Sequence, residues 1–486
     1  MNDDRRRWVS LYVLCTGMLM IVLDTTIVNV ALPFIQNSLH FSASGLAWVV
    51  NAYLIAFGGL LLLAGRLGDL YGRRRMYLSG LVVFTVASLV CGLSQSQTML
   101  VIARFAQGVG GAMTSAVILG MIVTTFPEPR LQARAIGVFA FVASAGGAVG
   151  LLAGGLLVQW VDWHWIFFVN LPIGVATWLA SARLLEHDER PERRGRADVI
   201  GAVLVTAALM LGVYAIVDPA AAHGWTAPET LGCAAGTVVL LVAFVARQLT
   251  ATEPLMPLRS LWSRNLIGAN VIQTVGAAGM FGSFFLGALY LQKVLHYDPL
   301  QIGLAFLPDT LLMGVLSVRF CEPLVSRFGA RTVMVPGLVL VAGGLALFAV
   351  APVHADFAVD LLPAVVVMGV GAGLTFPSMM TLAMSGVGPA EAGLASGLIN
   401  TTGQVGGAVG LAVLATAASG HTARLAESGV GTLSALTGGY HLAFWIAAGL
   451  AIAAVVVALV VVPGTVPQPV SAHADEEPDE PIVAAV

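Results

Sequence analysis

Three ionisable residues interrupt long apolar stretches of the sequence: Asp24, Arg104 and Asp309. An ionisable side chain inside a membrane span is costly, and such residues usually line the path of a substrate or an ion. A carboxyl group in hydrocarbon resists ionisation, so it can exchange a proton near neutral pH or stay charged opposite a cationic ligand. The three residues are therefore predicted to bind a proton or a ligand.

Each of the three also has a structural interpretation. Asp24 could pair with Arg104 or cap a helix, and Arg104, which shares a helical face with small residues, could instead hold backbone carbonyls. Asp309 follows Pro308, which frees a backbone carbonyl and permits a kink. It could be a second proton or substrate carboxylate, or could face a water-filled vestibule. The sequence leaves these alternatives open.

Polar residues at helical spacing are further candidates for a substrate cavity. They lie within apolar stretches: Asn29, Gln107, Asn270, Gln273, Asn400 and Gln404. The competing interpretation is hydrogen bonding between neighbouring helices, with each bond worth under about 1 kcal/mol.

The apolar stretches themselves identify a membrane protein. Apolar residues make up 58% of the 486 residues and charged residues 10%, where a soluble domain carries about 25% charge. A helix crosses the bilayer with about 20 apolar residues because its backbone bonds are satisfied internally. This rule predicts fourteen spans, at 8–33, 46–65, 76–94, 98–126, 135–159, 165–185, 198–218, 229–249, 265–292, 300–320, 332–352, 359–386, 394–418 and 440–463.

The loops between these spans set the orientation. Most of the 23 cations fall on alternate loops, and short basic loops stay in the cytoplasm. Both termini are therefore predicted to be cytoplasmic, and the protein to be a multi-pass protein of the cell membrane. The acidic, proline-containing segment 464–486 is predicted to be a disordered tail.

The chain contains an internal duplication. The hexamer GGAVGL occurs at 146–151 and at 406–411, an offset of 260 positions, and the loops after spans two and ten match at an offset of 257. The two landmarks pair span two with span ten and span five with span thirteen. This pairing fits six spans, an inserted pair of spans and six more spans. The predicted divisions are an N-terminal half at 1–185, a linker and hairpin at 186–264, a C-terminal half at 265–463, and the tail. The predicted fold is an all-α membrane protein with two six-helix bundles and an inserted two-helix hairpin.

Several classes of function lack their motifs. The sequence contains no GxxxxGK[ST] phosphate loop and no GxSxG or HExxH motif, so we predict that it is not an enzyme and does not hydrolyse nucleotides. Its four cysteines and nine histidines show no ligand spacing, so no metal site and no disulfide are expected. We predict no cofactor other than a proton as coupling ion, and no nucleic-acid partner.

Four ordered motifs resemble the major facilitator superfamily and, within it, the fourteen-span drug:proton antiporters of bacterial multidrug efflux. LDTTIVNVALP at 23–33 resembles their first-helix signature, GRLGDLYGRRR at 65–75 motif A, RFAQGVGGAM at 104–113 motif B, and the glycine-rich fifth span motif C. WHWIFFVNLPIG at 163–174 is also typical of them. The resemblance covers nearly the whole chain and implies the major facilitator fold.

The resemblance implies a proton-coupled antiporter that exports lipophilic, and in some cases cationic, drugs or antibiotics by alternating access. Such a protein uses the proton motive force, confers antibiotic resistance and works as a monomer on a small-molecule substrate in the lipid bilayer. Proton-coupled uptake of a nutrient and a membrane sensor that does not transport are the alternatives. Motif C and the absence of a sizeable soluble domain disfavour them.

Two motifs imply moving parts. Motif A implies a cytoplasmic gate, built from Gly65, Asp69, Gly72, Arg73 and Arg74, in which Asp69 meets the positive end of span thirteen near 391–396. Its arginines alternatively serve only the positive-inside rule. Motif C implies an antiporter helix whose small residues allow close approach and sliding: Gly146, Gly150, Gly154 and Gly155. Leu151 replaces the usual proline of that motif.

Overall fold

The computed structural model describes residues 3–42, 44–126, 128–185, 197–255, 264–385 and 392–462. Most of the predicted linker, Glu391 and the tail lie outside these residues. The described chain forms seventeen α-helices: α1 Asp3–Leu39, α2 Ala47–Tyr71, α3 Arg73–Gly92, α4 Gln97–Thr125, α5 Pro129–Trp160, α6 Trp165–Phe168, α7 Asn170–Leu184, α8 Val199–Val217, α9 Pro219–His223, α10 Pro228–Thr250, α11 Arg264–Lys293, α12 Pro299–Arg319, α13 Cys321–Phe328, α14 Ala330–Phe348, α15 Leu362–Met384, α16 Ala392–Glu427 and α17 Thr432–Val460. A π-helical turn, Phe357–Leu361, leads into α15.

The helices confirm an all-α membrane protein. Thirteen helices of the described chain are long and apolar enough to cross a bilayer. The predicted fifth span falls on α5, where the apolar stretch found is shorter, Ala145–Trp160. The search by length and hydropathy covers the described residues and gives thirteen spans, so the predicted count of fourteen is not confirmed. Two boundaries also differ. The sixth span consists of two helices, α6 and α7. The thirteenth span continues as α16 to Glu427, and its last turns are polar and largely exposed, so hydropathy did not include them.

The duplication predicted from sequence is visible in the backbone. Gly72 joins α2 to α3 with φ 106°, and its counterpart Gly329 joins α13 to α14 with φ 85°. Glycine adopts this left-handed region without the steric cost that other residues meet. The arginines that follow these glycines also make equivalent hydrogen bonds. Arg74 donates to the Ala182 carbonyl at 2.6 Å, and Arg331 donates to the Leu459 carbonyl at 2.7 Å. Each arginine contacts the last turn of the sixth span in its own half.

The GGAVGL copies pack in equivalent places. A Cβ at Gly150 would lie 3.2 Å from the Leu23 carbonyl of α1, and a Cβ at Gly410 would lie 2.2 Å from the Ala278 Cα of α11. Each copy thus lets its helix approach the first helix of the same half closely. Sliding at these contacts stays a prediction.

Beside the second copy, a large residue replaces a small one on α16, and a small residue stands on the helix that it contacts. Gly154 packs against Ile27, whereas its counterpart Leu414 packs against Gly282, where a Cβ would lie 2.2 Å from the Leu414 Cδ1. The small residue has moved to the partner helix. The duplicated contact is therefore kept close in both halves by opposite means.

A neighbouring face of α5 contacts the other half. A Cβ at Gly155 would lie 2.8 Å from the Leu300 Cα, and one at Gly303 would lie 2.5 Å from the Leu151 carbonyl. Gly155, Leu151 and Gly147 form one helical stripe that packs along α12. Of the four predicted antiporter-helix residues, Gly155 therefore lies between the halves, and the other three lie within the first half.

The helices α8 and α10 form a hairpin that is tied at its base. Asp198 caps α8 by accepting from the Gly201 amide, and it also accepts from Arg247 at 3.0 Å and from Gln248 at 2.9 Å. Burial raises the pKa of Asp198, but these hydrogen bonds lower it by more, so its pKa lies below the usual carboxyl range. This base holds the two hairpin helices together. The proposed division of the whole chain into halves and hairpin stays a prediction.

Candidate functional site

Asp24 lies at the centre of a fully buried polar cluster. Its Oδ2 accepts from Arg104 Nη1 at 2.6 Å, and its Oδ1 accepts from Gln107 Nε2 at 2.7 Å and from Asn170 Nδ2 at 3.0 Å. Asp24 has no exposed surface and Arg104 has 1%. Helices α1, α4 and α7 thus bring one acid, one base and two amides together in a site without solvent access.

Arg104 has partners beyond the carboxylate. Its Nε donates to the Val49 carbonyl of α2 at 2.9 Å, and Nη1 also donates to Gln107 Oε1 at 2.7 Å. Its guanidinium lies 4.5 Å from the ring centroid of Tyr53, a cation–π contact. Arg104 therefore connects α1, α2 and α4.

The structural interpretations of Asp24 and Arg104 are both realised in this conformation. A buried pair needs hydrogen bonds to its remaining donors and acceptors to offset desolvation, and this pair has them. Its charges cancel, so the cluster adds no net charge to the hydrocarbon region. The predicted coupling role of the pair stays a prediction.

Sequence reasoning missed two members of this cluster. Asn170, 146 residues beyond Asp24, begins α7, and Ser88 of α3 accepts from Gln107 at 2.8 Å. The signal was available in WHWIFFVNLPIG, where one asparagine stands in an aromatic and aliphatic run. Ser88 carried no signal because a lone serine in a span is common.

Asp309 lies apart from this cluster, on α12. It is 3% exposed, its Oδ2 has no hydrogen-bond partner, and no ion pair of the described residues includes it. Its backbone packs against α15, since a Cβ at Gly369 would lie 2.7 Å from the Asp309 carbonyl. The adjacent Thr310 contacts α5, because its Cγ2 lies 3.1 Å from a Cβ built at Gly147. A buried carboxyl group that has no ion pair in the described part of the chain therefore lies close to the contact between the halves.

The six polar cavity candidates are placed in different surroundings. Gln107 belongs to the Asp24 cluster. Asn29 donates to the Thr25 carbonyl of its own helix, and Asn270 donates to the Leu266 carbonyl while accepting from Thr402 at 2.8 Å. The bond between Thr402 and Asn270 matches the interpretation as hydrogen bonding between neighbouring helices, whereas the Asn29 bond lies within α1.

The remaining three candidates lie on or beside α16. Gln273 of α11 packs on Gly403, where a Cβ would meet its Nε2 at 2.4 Å. Asn400 is exposed. Gln404 faces α2 of the other half, since a Cβ at Gly58 would lie 2.7 Å from its Cβ, and its buried Oε1 has no partner among the described atoms. The six candidates therefore do not form one cluster, and their contact with substrate stays a prediction.

The predicted gate residues lie at the junction of α2 and α3. Arg73 donates to Asp69 Oδ1 from Nη2 at 2.9 Å and from Nε at 3.1 Å, and its Nη1 donates to the Gly120 carbonyl of α4 at 3.0 Å. The Asp69 side chain is 49% exposed. Gly72 and Arg74 lie at the same junction, and Gly65 lies within α2, near Ala116 of α4.

The proposed partner of Asp69 begins at Glu391, which lies outside the described residues. Helix α16 starts at Ala392 and approaches α2, since a Cβ at Gly397 would lie 2.9 Å from the Leu62 Cδ2. The start of α16 therefore lies on the motif A side of α2. A contact between Asp69 and α16 stays a prediction.

An apolar groove lies on the outer surface between α4 and α8. It has a volume of about 670 Å³ and includes Trp48, Ile102, Met210 and Tyr214 in its lining. Ile102 is 64% exposed and belongs to a membrane-spanning helix, so the groove opens towards lipid. It is separate from the Asp24 cluster.

This architecture is that of a multi-pass membrane transporter built from a repeated helix bundle with a buried ion pair. The family model described as Major Facilitator Superfamily matches residues 14–411, and the chain belongs to this superfamily. It is therefore a transporter of small molecules rather than an enzyme.

Characterised relatives are similar over nearly the full length. The chain is 38% identical to the puromycin resistance protein pur8 of Streptomyces alboniger over 467 residues, which are 95% of this chain and 92% of that protein. It is 37% identical to the cephamycin export protein CmcT of Amycolatopsis lactamdurans, over 86% of this chain and 87% of that protein. These relatives place the chain among the drug-efflux members of the superfamily.

A solved structure shares the fold. A bacterial homologue of the human lysosomal transporter Spinster, in an inward-facing and unoccupied conformation, superposes with a TM-score of 0.67 over 94% of this chain and 97% of that chain. The sequences are 15% identical, so this likeness concerns the fold alone.

Proposed function

We propose that the protein exports lipophilic small molecules of antibiotic type across the bacterial cytoplasmic membrane, driven by proton influx. Two relatives, a puromycin resistance protein and a cephamycin export protein, support efflux of antibiotics. The apolar groove between α4 and α8 fits compounds that partition into lipid. The basic loops support an orientation with both termini in the cytoplasm.

The buried position of Asp309 is the observation that supports proton coupling. A charged carboxylate that is buried without an ionic partner is strongly disfavoured. Asp309 is 3% exposed, its Oδ2 has no hydrogen-bond partner, and it takes part in no ion pair among the described residues. Asp24, in contrast, accepts hydrogen bonds from Arg104 and from two amides. The described residues thus include one buried carboxyl group with a cationic partner and another without one.

Alternating access would connect Asp309 to water. When the halves separate at the contact of α5 with α12, solvent reaches Asp309 and favours its ionised form. Return to the buried arrangement then requires a proton. One proton in a driving force near 150 mV supplies roughly 3.5 kcal/mol, which supports a substrate gradient of a few hundred fold.

Transport into everted membrane vesicles tests the export function. Energised vesicles that carry the protein should accumulate puromycin, and a proton ionophore should abolish the accumulation. Uptake into right-side-out vesicles would instead show an importer. No transport in either orientation would contradict both.

Asp309→Asn tests the coupling residue. We expect the variant to exchange substrate down its gradient but to lose accumulation driven by a pH gradient, because an amide stays neutral at every pH. Glu322→Gln is the matched control, since it also removes one carboxylate, but from an exposed position on α13. Driven accumulation by Asp309→Asn at the control's level would exclude Asp309 as the coupling site.

A further inference from the structure

Asn51 is a buried amide without partners. It lies in α2, has no exposed surface, and neither its Nδ2 nor its Oδ1 has a hydrogen-bond partner in the described part of the chain. Buried polar groups in folded proteins are nearly always paired, and an unpaired one destabilises the arrangement that buries it. The buried asparagines Asn170 and Asn270 each make at least one hydrogen bond. Asn51 differs from both.

The position of Asn51 is between the two halves. On α2, Gly58 meets Gln404 and Leu62 meets Gly397, so α2 runs antiparallel to α16 of the second half. Asn51 precedes Gly58 by seven residues, which is two helical turns and the same helix face. By helical spacing, Asn51 therefore lies on the face of α2 that packs against α16 at Gly58.

The same seam contains other polar groups without partners. The Thr401 Oγ1 and the Gln404 Oε1 on α16 are buried and unpartnered, and both residues contact Gly58. The seam thus carries hydroxyl and amide groups from both halves that are not bonded to each other.

We propose that Asn51 is a specificity-determining residue that hydrogen-bonds the polar groups of a transported molecule when the α2–α16 seam opens. This proposal rests on the export function proposed above. A primary amide donates and accepts, so it suits substrates with amide, hydroxyl or amine groups on an apolar frame. A site with buried hydrogen-bonding groups discriminates against analogues that lack them, because those groups then remain unpaired.

Two probes of different chemistry separate this role from a packing role. Puromycin carries amide, hydroxyl and amine groups, whereas tetraphenylphosphonium is lipophilic and has no hydrogen-bonding group. Asn51→Leu replaces the amide with an apolar side chain of similar size. In proteoliposomes we expect its KM for puromycin to rise about tenfold, as for the loss of one buried hydrogen bond. Its KM for tetraphenylphosphonium should stay within about twofold of wild type.

Thr85→Val is the matched control. The Thr85 Oγ1 is also buried without a partner in the described chain, but it lies within the first half against Gly174 of α7. Its removal should change neither KM. Asn51→Ser, which keeps a donor and an acceptor, should recover part of the puromycin affinity. It also provides a second variant if Asn51→Leu does not fold.

Each result decides the proposal. A selective increase in the puromycin KM, with partial recovery in Asn51→Ser, supports it. Unchanged kinetics with both probes, or equal changes with both, would overturn it, because the amide would then affect only seam packing or bind a trapped water. Failure of the wild-type protein to carry either probe would overturn the export function as well, which distinguishes the two failures.

Discussion

Replacement of Asp24 by asparagine should destabilise the bundle as well as stop transport. The substitution leaves Arg104 charged at 1% exposure, and removing one partner of a buried ion pair costs about 3–5 kcal/mol. Arg104 keeps the Val49 carbonyl and Gln107 Oε1 as acceptors, so we expect the lower limit, about 3 kcal/mol. The new amide must also direct its own N–H groups towards a site that already contains donors from Gln107 and Asn170.

Equilibrium unfolding in mixed micelles measures this loss. Asp309→Asn is the matched control, because it makes the same chemical change at a buried carboxyl group that has no ion pair in the described chain. We expect the control to change the free energy of unfolding by less than about 1 kcal/mol. In the double variant Asp24→Asn/Arg104→Gln, the loss should be smaller than the sum of the two single losses, because no buried charge remains unpaired.

Two results would contradict this reasoning, one for stability and one for coupling. If Asp24→Asn unfolds with the same free energy as Asp309→Asn, the ion pair between Asp24 and Arg104 does not stabilise the bundle. If it is also transport-competent with a normal response to the pH gradient, Asp24 takes no part in coupling.

Two further variants test the packing and the hairpin. Gly410→Ala should lower the free energy of unfolding by about 1–3 kcal/mol, because its Cβ would lie 2.2 Å from the Ala278 Cα. Gly343→Ala is the control and should be neutral or stabilising, because nothing lies within 4 Å of a Cβ built there. Equal effects of the two substitutions would contradict the close approach of α16 to α11. Because the pKa of Asp198 is lowered in the folded protein, its contribution to stability is complete at neutral pH and is lost as the pH falls below the usual carboxyl range. Asp198→Asn should therefore be less stable at pH 7 and lose less stability on acidification, as measured by thermal unfolding in detergent across a pH series.

Much of the fold was predictable because the bilayer restricts the possibilities. A chain in hydrocarbon must satisfy its backbone hydrogen bonds within helices of about 20 apolar residues, so hydropathy located nearly every span. The positions of glycine in the two halves identified the duplication, and Gly72 and Gly329 indeed share a positive φ. The ends of α16 and the break between α6 and α7 were not predictable, because polar extensions beyond the bilayer carry no periodic signal.

The site was predictable only in part. Buried acids and bases are rare enough in spans to be conspicuous, so Asp24, Arg104 and Asp309 were found by type alone. The structure shows that two of them pair and that the third has no ion pair among the residues that the structure describes. Sequence spacing carries no such distinction, because residues on different helices meet only through packing.

By itself, the sequence determined an all-helical, duplicated membrane transporter and the ionisable residues it holds, because hydropathy and residue type are local properties. Tertiary structure decided which polar groups have partners. Asn170 completes the Asp24 cluster from 146 positions away. Asn51, also an asparagine in an apolar run, is buried in α2 and has no hydrogen-bond partner among the described residues. The difference depends on which helix face each amide occupies and on what packs against that face.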